Sequence, residues 1–183
     1  MRLRSTLSVL AIAGASFLAV PGVSAAAEAE APAAASAPVA GQEVAPLVTK
    51  ITHAQATARF SSSGITWSSS GGCSDRDVPT CTSFEQLNLE SAQGAQTLKS
   101  ASGCALNVTG GTETGHAGGT YSHWNGYKLD FGLNSCLNSY ITGAFTYIGE
   151  RGDGAALYES ASGNVYAREG NHWDVTYYNC GGC

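Results

Sequence analysis

Residues 120–131 read TYSHWNGYKLDF, and their reading decides what kind of domain this is. Tyr127, Leu129 and Phe131 alternate with Lys128 and Asp130, which predicts a strand with an apolar face and a polar face. Just upstream, His123 precedes a Gly126 turn, so a loop histidine and a strand aspartate can converge on one point. About forty residues on, Glu169-Gly-Asn-His172 offers a second acid–imidazole pair. Positions three apart on a regular strand face opposite ways, so these two can cooperate only across a bend, which Gly170 and Asn171 can supply.

Around this centre the elements read as follows. Residues 51–60 (ITHAQATARF) carry apolar side chains at helical spacing and predict a short helix. Thr82 with Glu85 three positions later has the form of a capping box and predicts a second helix, and residues 93–100 predict further helical turns stopped by Ser102-Gly103. Residues 105–108 alternate as a strand and lead into a Gly-rich loop from Gly110 to Gly119. Residues 137–145 suit a helix, and residues 157–158, 164–166 and 173–178 suit strands. Helices come first and strands later, so the expected class is α+β, a small antiparallel sheet with flanking helices.

The chain has 183 residues, of which only 13% are charged against 43% hydrophobic, and its formal net charge is −5. That balance argues against a nucleic-acid partner, which needs clustered Lys and Arg. Arg2 and Arg4, an apolar run from Leu7 to Val20 and the small-residue site Val23-Ser24-Ala25 predict an export signal over residues 1–25. Residues 26–47, rich in Ala and Pro, predict a flexible linker or a removable pro-segment. The globular domain is then residues 48–183, secreted, without a membrane span in the mature form, and expected to be a monomer. All six cysteines fall in that domain, and an oxidising destination favours disulfides. Cys73 with Cys81 is the best local pair, and Cys180-Gly-Gly-Cys183 has the spacing of a zinc knuckle or redox pair but suits a structural role.

Two neutral imidazoles and one carboxylate make a three-ligand zinc site with a fourth position open to water, whose pKa the ion lowers toward about 7. Glu169, a carboxylate beside that set, is placed to carry a proton from the water to a leaving amine. The bland alternative is surface histidines with ordinary hydrogen-bonded acids.

TYSHWNGYKLD resembles the His-x-x-Gly-x-x-x-Asp zinc motif of the LAS metallopeptidases, the group that joins lysostaphin-type enzymes, D-alanyl-D-alanine metallopeptidases and the hedgehog signalling domain. EGNHW resembles the Glu-x-x-His motif of the D-Ala-D-Ala branch, and the stretch from Gly103 to Trp173 reads like a small secreted actinobacterial or fungal member of it. The resemblance implies a LAS/hedgehog-like, disulfide-braced zinc peptidase fold. It implies zinc ligands His123, Asp130 and His172, Glu169 as general acid/base, and peptidoglycan peptides with D-Ala-D-Ala-type bonds as substrate.

Three departures stand out. Lys128 replaces a usual alanine, and Tyr121 a usual serine. The arginine of a Ser-Gly-Tyr-Arg context is replaced by Gly110-Gly-Thr-Glu113. His116, in the same loop, is the candidate to take over oxyanion donation, the alternative being that it braces the loop. Lys128, Arg76, Arg151 and Arg168 are the cations available for a substrate carboxylate, although Arg151-Gly-Asp153 otherwise reads as a loop turn. His53 is expected to be solvated, and Asp174 either to bond a ligand imidazole or to be an exposed strand carboxylate; Trp124 and Trp173 either wall a cleft or pack in the core. The rival readings are a non-catalytic zinc-containing binding domain, and a disulfide-rich inhibitor or toxin without metal.

Overall fold

The computed structural model describes residues 48–178. The expected export signal, the linker and the Cys180/Cys183 pair lie outside the described residues.

In chain order, β1 (Lys50–Ile51) leads into α1 (His53–Ser62). Thr52 caps that helix: its hydroxyl accepts from the Gln55 amide while the Gln55 side chain accepts from the Thr52 amide, a complete capping box. Ala56 and Phe60 bury its inner face. β2 (Thr66–Trp67) and β3 (Leu87–Asn88) follow, and then α2 (Leu89–Ser102). α2 is stopped by Gly103 in the left-handed conformation, φ 66°, as the Ser102-Gly103 pair predicts. The helix expected to open at Thr82 does not form. Thr82 donates its hydroxyl to the carbonyls of Ser68 and Thr109, and Glu85 accepts the His53 amide at the start of α1. Gln86 is in the left-handed region at φ 63°, which no helix tolerates in sequence.

The second half comprises β4 (Asn107–Gly110), β5 (Lys128–Gly132), α3 (Ser135–Ala144), β6 (Thr146–Glu150), β7 (Ala156–Glu159), β8 (Val165–Arg168) and β9 (His172–Thr176). The class is α+β, with three helices among the described residues. The main sheet, however, is seven-stranded and mixed rather than small and antiparallel. Its order is β2-β4-β5-β9-β8-β7-β6, beside a two-stranded antiparallel pair of β1 and β3. Only β2 and β4 run parallel in it, and the long connection between them contains α2, as a parallel pairing requires.

Strand alternation positions the site. Leu129 and Phe131 of β5 and Trp173 and Val175 of β9 join Phe60, Leu98 and Ile141 from the three helices in one buried core. The alternate residues Lys128, Asp130, His172 and Asp174 therefore face the other side of the same two strands. Trp173, fully buried with its indole N–H on Asn138 Oδ1, belongs to the core and walls no cleft. Among the described residues, two disulfides brace the loops. One is the expected Cys73–Cys81; the other, Cys104–Cys136, ties the approach to β4 to the first turn of α3. No helix among the described residues is long and apolar enough to cross a membrane. Both observations are compatible with secretion.

Candidate metal centre

Asp130 anchors the site from the middle of the sheet. It lies on β5 opposite Asp174 of β9 and opposite Gly110 of β4, where the pairing slips by a bulge. The slip matters because Asp130 needs room: a Cβ on Gly110 would lie 2.4 Å from Asp130 Oδ2.

His123 reaches Asp130 from a tight turn. The Gly126 amide bonds the His123 carbonyl at 2.8 Å and the Tyr127 amide bonds the Ser122 carbonyl at 3.1 Å. Gly126 holds φ 77°, and a Cβ there would come within 2.5 Å of the Gln86 carbonyl oxygen, so only glycine closes this turn. The His123 Nδ1–H then donates to the Gly111 carbonyl at 2.6 Å, which leaves Nε2 facing Asp130 Oδ1 at 3.2 Å and Asp174 Oδ1 at 3.7 Å. The bend anticipated between Glu169 and His172 is present. The Glu169 amide bonds the His172 carbonyl at 3.0 Å, and Glu169 Oε2 lies 3.4 Å from His172 Nε2. His172 Nδ1–H is held by Asn171 Oδ1 at 2.8 Å, and its Nε2 lies 3.6 Å from Asp130 Oδ1.

Both imidazoles are thus anchored through Nδ1 and aimed through Nε2 at one carboxylate oxygen, the arrangement in which histidines are oriented for a metal. Ligand atoms around a tetrahedral zinc are separated by about 3.3 Å when bonds are about 2.0–2.1 Å. The 3.2 and 3.6 Å spacings lie on either side of that value, but the group whose ligand atoms all lie within 4.8 Å of one another is His116, His123 and Asp130, and His172 stands outside it.

His116 completes the cluster. Its ring stacks on His123 with centroids 3.8 Å apart, and its Nδ1 lies 3.9 Å from Asp130 Oδ2. His116, His123 and Asp130 together could hold a metal ion. The other ring nitrogen, Nε2, contacts Glu113 Oε1 at 3.2 Å. Glu113 is a buried anion: burial pushes its pKa up, but the bonds from His116 and from the Ser83 and Gly111 amides bring it below the usual value. An ionised carboxylate only accepts, so the neutral His116 ring spends its one proton on Glu113 and presents a lone pair at Nδ1. That suits a metal ligand; oxyanion donation from Nδ1 requires the doubly protonated ring.

The electrostatics call for a cation. Asp130 Oδ1 and Asp174 Oδ1 are both buried with no hydrogen-bond partner among the described residues; His123 Nε2 stands 3.2 and 3.7 Å from them. Burial lowers the proton affinity of His123, but the two carboxylates raise it more, to about 10. The Asp174 pKa is pushed up by burial and pulled further down by His123 and Lys128, ending below the carboxylate range. The cavity holding these groups, about 500 Å³, is lined by four carboxylates (Asp130, Asp153, Glu169 and Asp174) against two cations, Lys128 and Arg151. The carboxylates exceed these two cations by two charges; His123 offsets one of them when protonated, and a divalent ion bound by neutral imidazoles would balance both.

Lys128 bonds Asp174 Oδ2 at 2.6 Å, and Arg151 bonds Asp174 Oδ2 at 3.1 Å and also Glu169 and Asp153. Of the four candidate cations, these two line the cavity. Arg76 stacks on the exposed Trp124, 3.6 Å from its ring centroid, and bonds the Thr112 carbonyl. Arg168 bonds the Glu169 carbonyl and lies over Trp173. His53 is not solvated as expected: it is half-buried, accepts the Phe84 amide at 3.0 Å and stacks on the Phe84 ring. Sequence reasoning assigned no role to Glu113, although its place at the missing motif arginine was the available signal. It gave Arg151 no more than a place among four cations. Comparison with protein-family models, with curated proteins and with solved structures returns no match.

Proposed function

We propose that this chain is a secreted, zinc-dependent peptidase that hydrolyses peptidoglycan stem or cross-link peptides in the extracellular space, acting as a monomer. The observation that carries the reading is the convergence of His123 Nε2 and His172 Nε2 on the orphaned Asp130 Oδ1, with Glu169 beside them. His123, Asp130 and His172 would hold the ion. His116, through Nδ1, is a further ligand candidate on the exposed side. Zinc, when bound in such a set, supplies Lewis acidity toward a peptide carbonyl and makes water nucleophilic near neutral pH.

The chain's own groups do the rest. Glu169 Oε2 takes the proton of the attacking water and returns it to the amine as the C–N bond breaks, so that one carboxylate serves both half-steps. The Nδ1 bonds to Gly111 and Asn171 keep the two rings from rotating, and Glu113 does the same for His116. One observation favours the rival, a zinc-containing binding domain: Glu169 Oε1 is already engaged by Arg151.

Metal analysis of the purified protein beside His123→Ala and Glu169→Gln, with amine release from peptidoglycan followed in parallel, separates these readings. The expected result is one zinc per chain, lost in His123→Ala. Glu169→Gln keeps the metal while hydrolysis falls by about 10²–10⁴-fold. Zinc without hydrolysis on several wall preparations would establish the binding domain instead. Absence of zinc would remove the site assignment.

A further inference from the structure

Arg151 is the most heavily engaged side chain of the cavity, and one of its three partners differs from the others. Asp174 and Glu169 belong to β9 and to the bend before it, and they hold Arg151 in place. Asp153 belongs to Arg151's own turn, between β6 and β7, where the Gly154 amide bonds the Arg151 carbonyl at 2.7 Å. Its carboxylate takes the fork of the guanidinium, with Nε at 3.0 and 3.1 Å from its two oxygens and Nη2 at 2.6 Å from one of them. Yet the Asp153 side chain is 54% exposed, whereas that of Asp174 is 7% exposed. A bidentate arginine–carboxylate contact at the accessible edge of a cavity has the geometry of carboxylate recognition, filled here by a residue that solvent can release.

Glu169 fixes how near this seat is to the chemistry. One of its oxygens bonds Arg151 and the other lies 3.4 Å from His172 Nε2, so a single carboxylate group bridges the seat and the ligand cluster. In a peptide, the terminal carboxylate and the last scissile carbonyl are separated by one residue, and consecutive Cα atoms by about 3.8 Å. Lys128, the other cation of the cavity, is spent on buried Asp174.

We infer that Arg151 is the receptor for the free C-terminal carboxylate of the substrate and that Asp153 occupies its place until substrate arrives. This rests on the peptidase reading and narrows it: the chain removes C-terminal residues and does not cut cross-links internally. The remaining contacts of Arg151, to Asp174 and Glu169, hold the guanidinium oriented while its fork changes partner.

The test is binding of N-acetyl-D-alanine and N-acetyl-D-alaninamide to the zinc-loaded protein, followed by calorimetry or NMR. The acid is expected to bind at least about tenfold tighter than the amide, as a charge-assisted pair requires. Asp153→Asn removes the competitor and tightens the acid about two- to fivefold, the range of an exposed ion pair, leaving the amide unchanged. Arg151→Gln erases the acid preference, and Arg151→Lys, which keeps the charge without the fork, retains part of it.

Equal binding of acid and amide overturns the assignment. So does an acid preference that survives Arg151→Gln, which places the carboxylate on the metal. Asp153→Asn disturbs only an exposed turn and keeps the assignment testable should the Arg151 variants fail to fold. Hydrolysis of a D-Ala-D-Ala peptide and its amide by the same preparation separates the two readings. Equal cleavage of both keeps the peptidase and removes the seat, whereas selective acid binding without cleavage keeps the seat and removes the peptidase.

Discussion

Asp130 and Asp174 stand directly opposite each other across β5 and β9, and each leaves a buried Oδ1 with no hydrogen-bond partner among the described residues. Like charges in register on neighbouring strands are destabilising unless a cation lies between them. Lys128 and Arg151 attend to Asp174 Oδ2, on the far side of that carboxylate. His123 alone stands between the two Oδ1 atoms, at 3.2 and 3.7 Å. Protonated, His123 supplies one positive charge between them; a divalent ion held there would supply two.

Stripping the metal should then cost stability. Ligand present at about a thousand times its Kd stabilises a fold by about 4 kcal/mol. A domain of this size responds by about 3–5 °C per kcal/mol. Chelation is expected to lower the wild-type Tm by about 10 °C or more. Asp130→Asn, nearly isosteric but uncharged, should fold, bind no metal and show no response to chelator. Scanning calorimetry with and without chelator checks both statements.

The close approach of Gly110 makes a separate prediction. A methyl group there would meet Asp130 Oδ2 at 2.4 Å, and the strand bulge cannot absorb it without moving the carboxylate. Gly110→Ala is expected to weaken metal binding by about 10–100-fold, the usual consequence of disturbing what orients a ligand. The cost in fold stability should be smaller, since the core face of β4 is unchanged. A competition titration against a zinc indicator reads the affinity; an unaltered value would show that Asp130 is not a ligand.

The two disulfides should be unequal in effect. Cys73–Cys81 spans 8 positions and Cys104–Cys136 spans 32, so loop-closure entropy assigns them about 2–3 and about 3–4 kcal/mol respectively. His116, His123 and Asp130 all lie inside the longer loop. Cys104→Ser/Cys136→Ser is expected to lower Tm by about 10 °C and to weaken metal binding with it. Cys73→Ser/Cys81→Ser should lower Tm less and leave the metal in place. Paired melts and metal analysis of the two variants decide this.

His53 provides a pH dependence away from the metal. Its pKa is lowered from the ordinary 6.5, by burial first, against a smaller opposing pull from Glu85. The fold keeps the ring neutral because Nδ1 must accept the Phe84 amide. The stabilisation is therefore complete above pH 6.5 and is lost as pH falls through that value toward the lowered folded one. Tm measured from pH 8 to pH 4.5 should drop more steeply in wild type than in His53→Gln, whose side chain does not titrate.

Much of this was legible in short stretches. The alternation of Leu129 and Phe131 with Lys128 and Asp130 assigned the two faces of β5, because side-chain direction in a strand follows period two whatever the partner. The stop at Gly103 and the bend at Gly170-Asn171 were legible for the same local reason. The Thr82–Glu85 pattern misled because Glu85 caps α1, some thirty residues earlier in the chain, and a spacing rule cannot register a distant competitor. β6 was missed because it is an edge strand whose Tyr147 and Ile148 are both exposed, so it carries no alternation to read.

The sequence by itself determined that an imidazole and a carboxylate flank one tight turn, that a second such pair flanks another, and that Cys73 lies within reach of Cys81. Those are relations over a few residues, set by backbone geometry and turn chemistry. Only the tertiary structure decided that His116, His123 and Asp130 cluster with His172 beside Asp130, that Glu113 orients His116, and that Arg151 bridges Asp153, Glu169 and Asp174. Such meetings depend on strand order and register, above all β5 against β9 at Asp130 and Asp174. Register is chosen by how the whole apolar face packs, and a shift of one residue would turn the strand groups Asp130, His172 and Asp174 into the core.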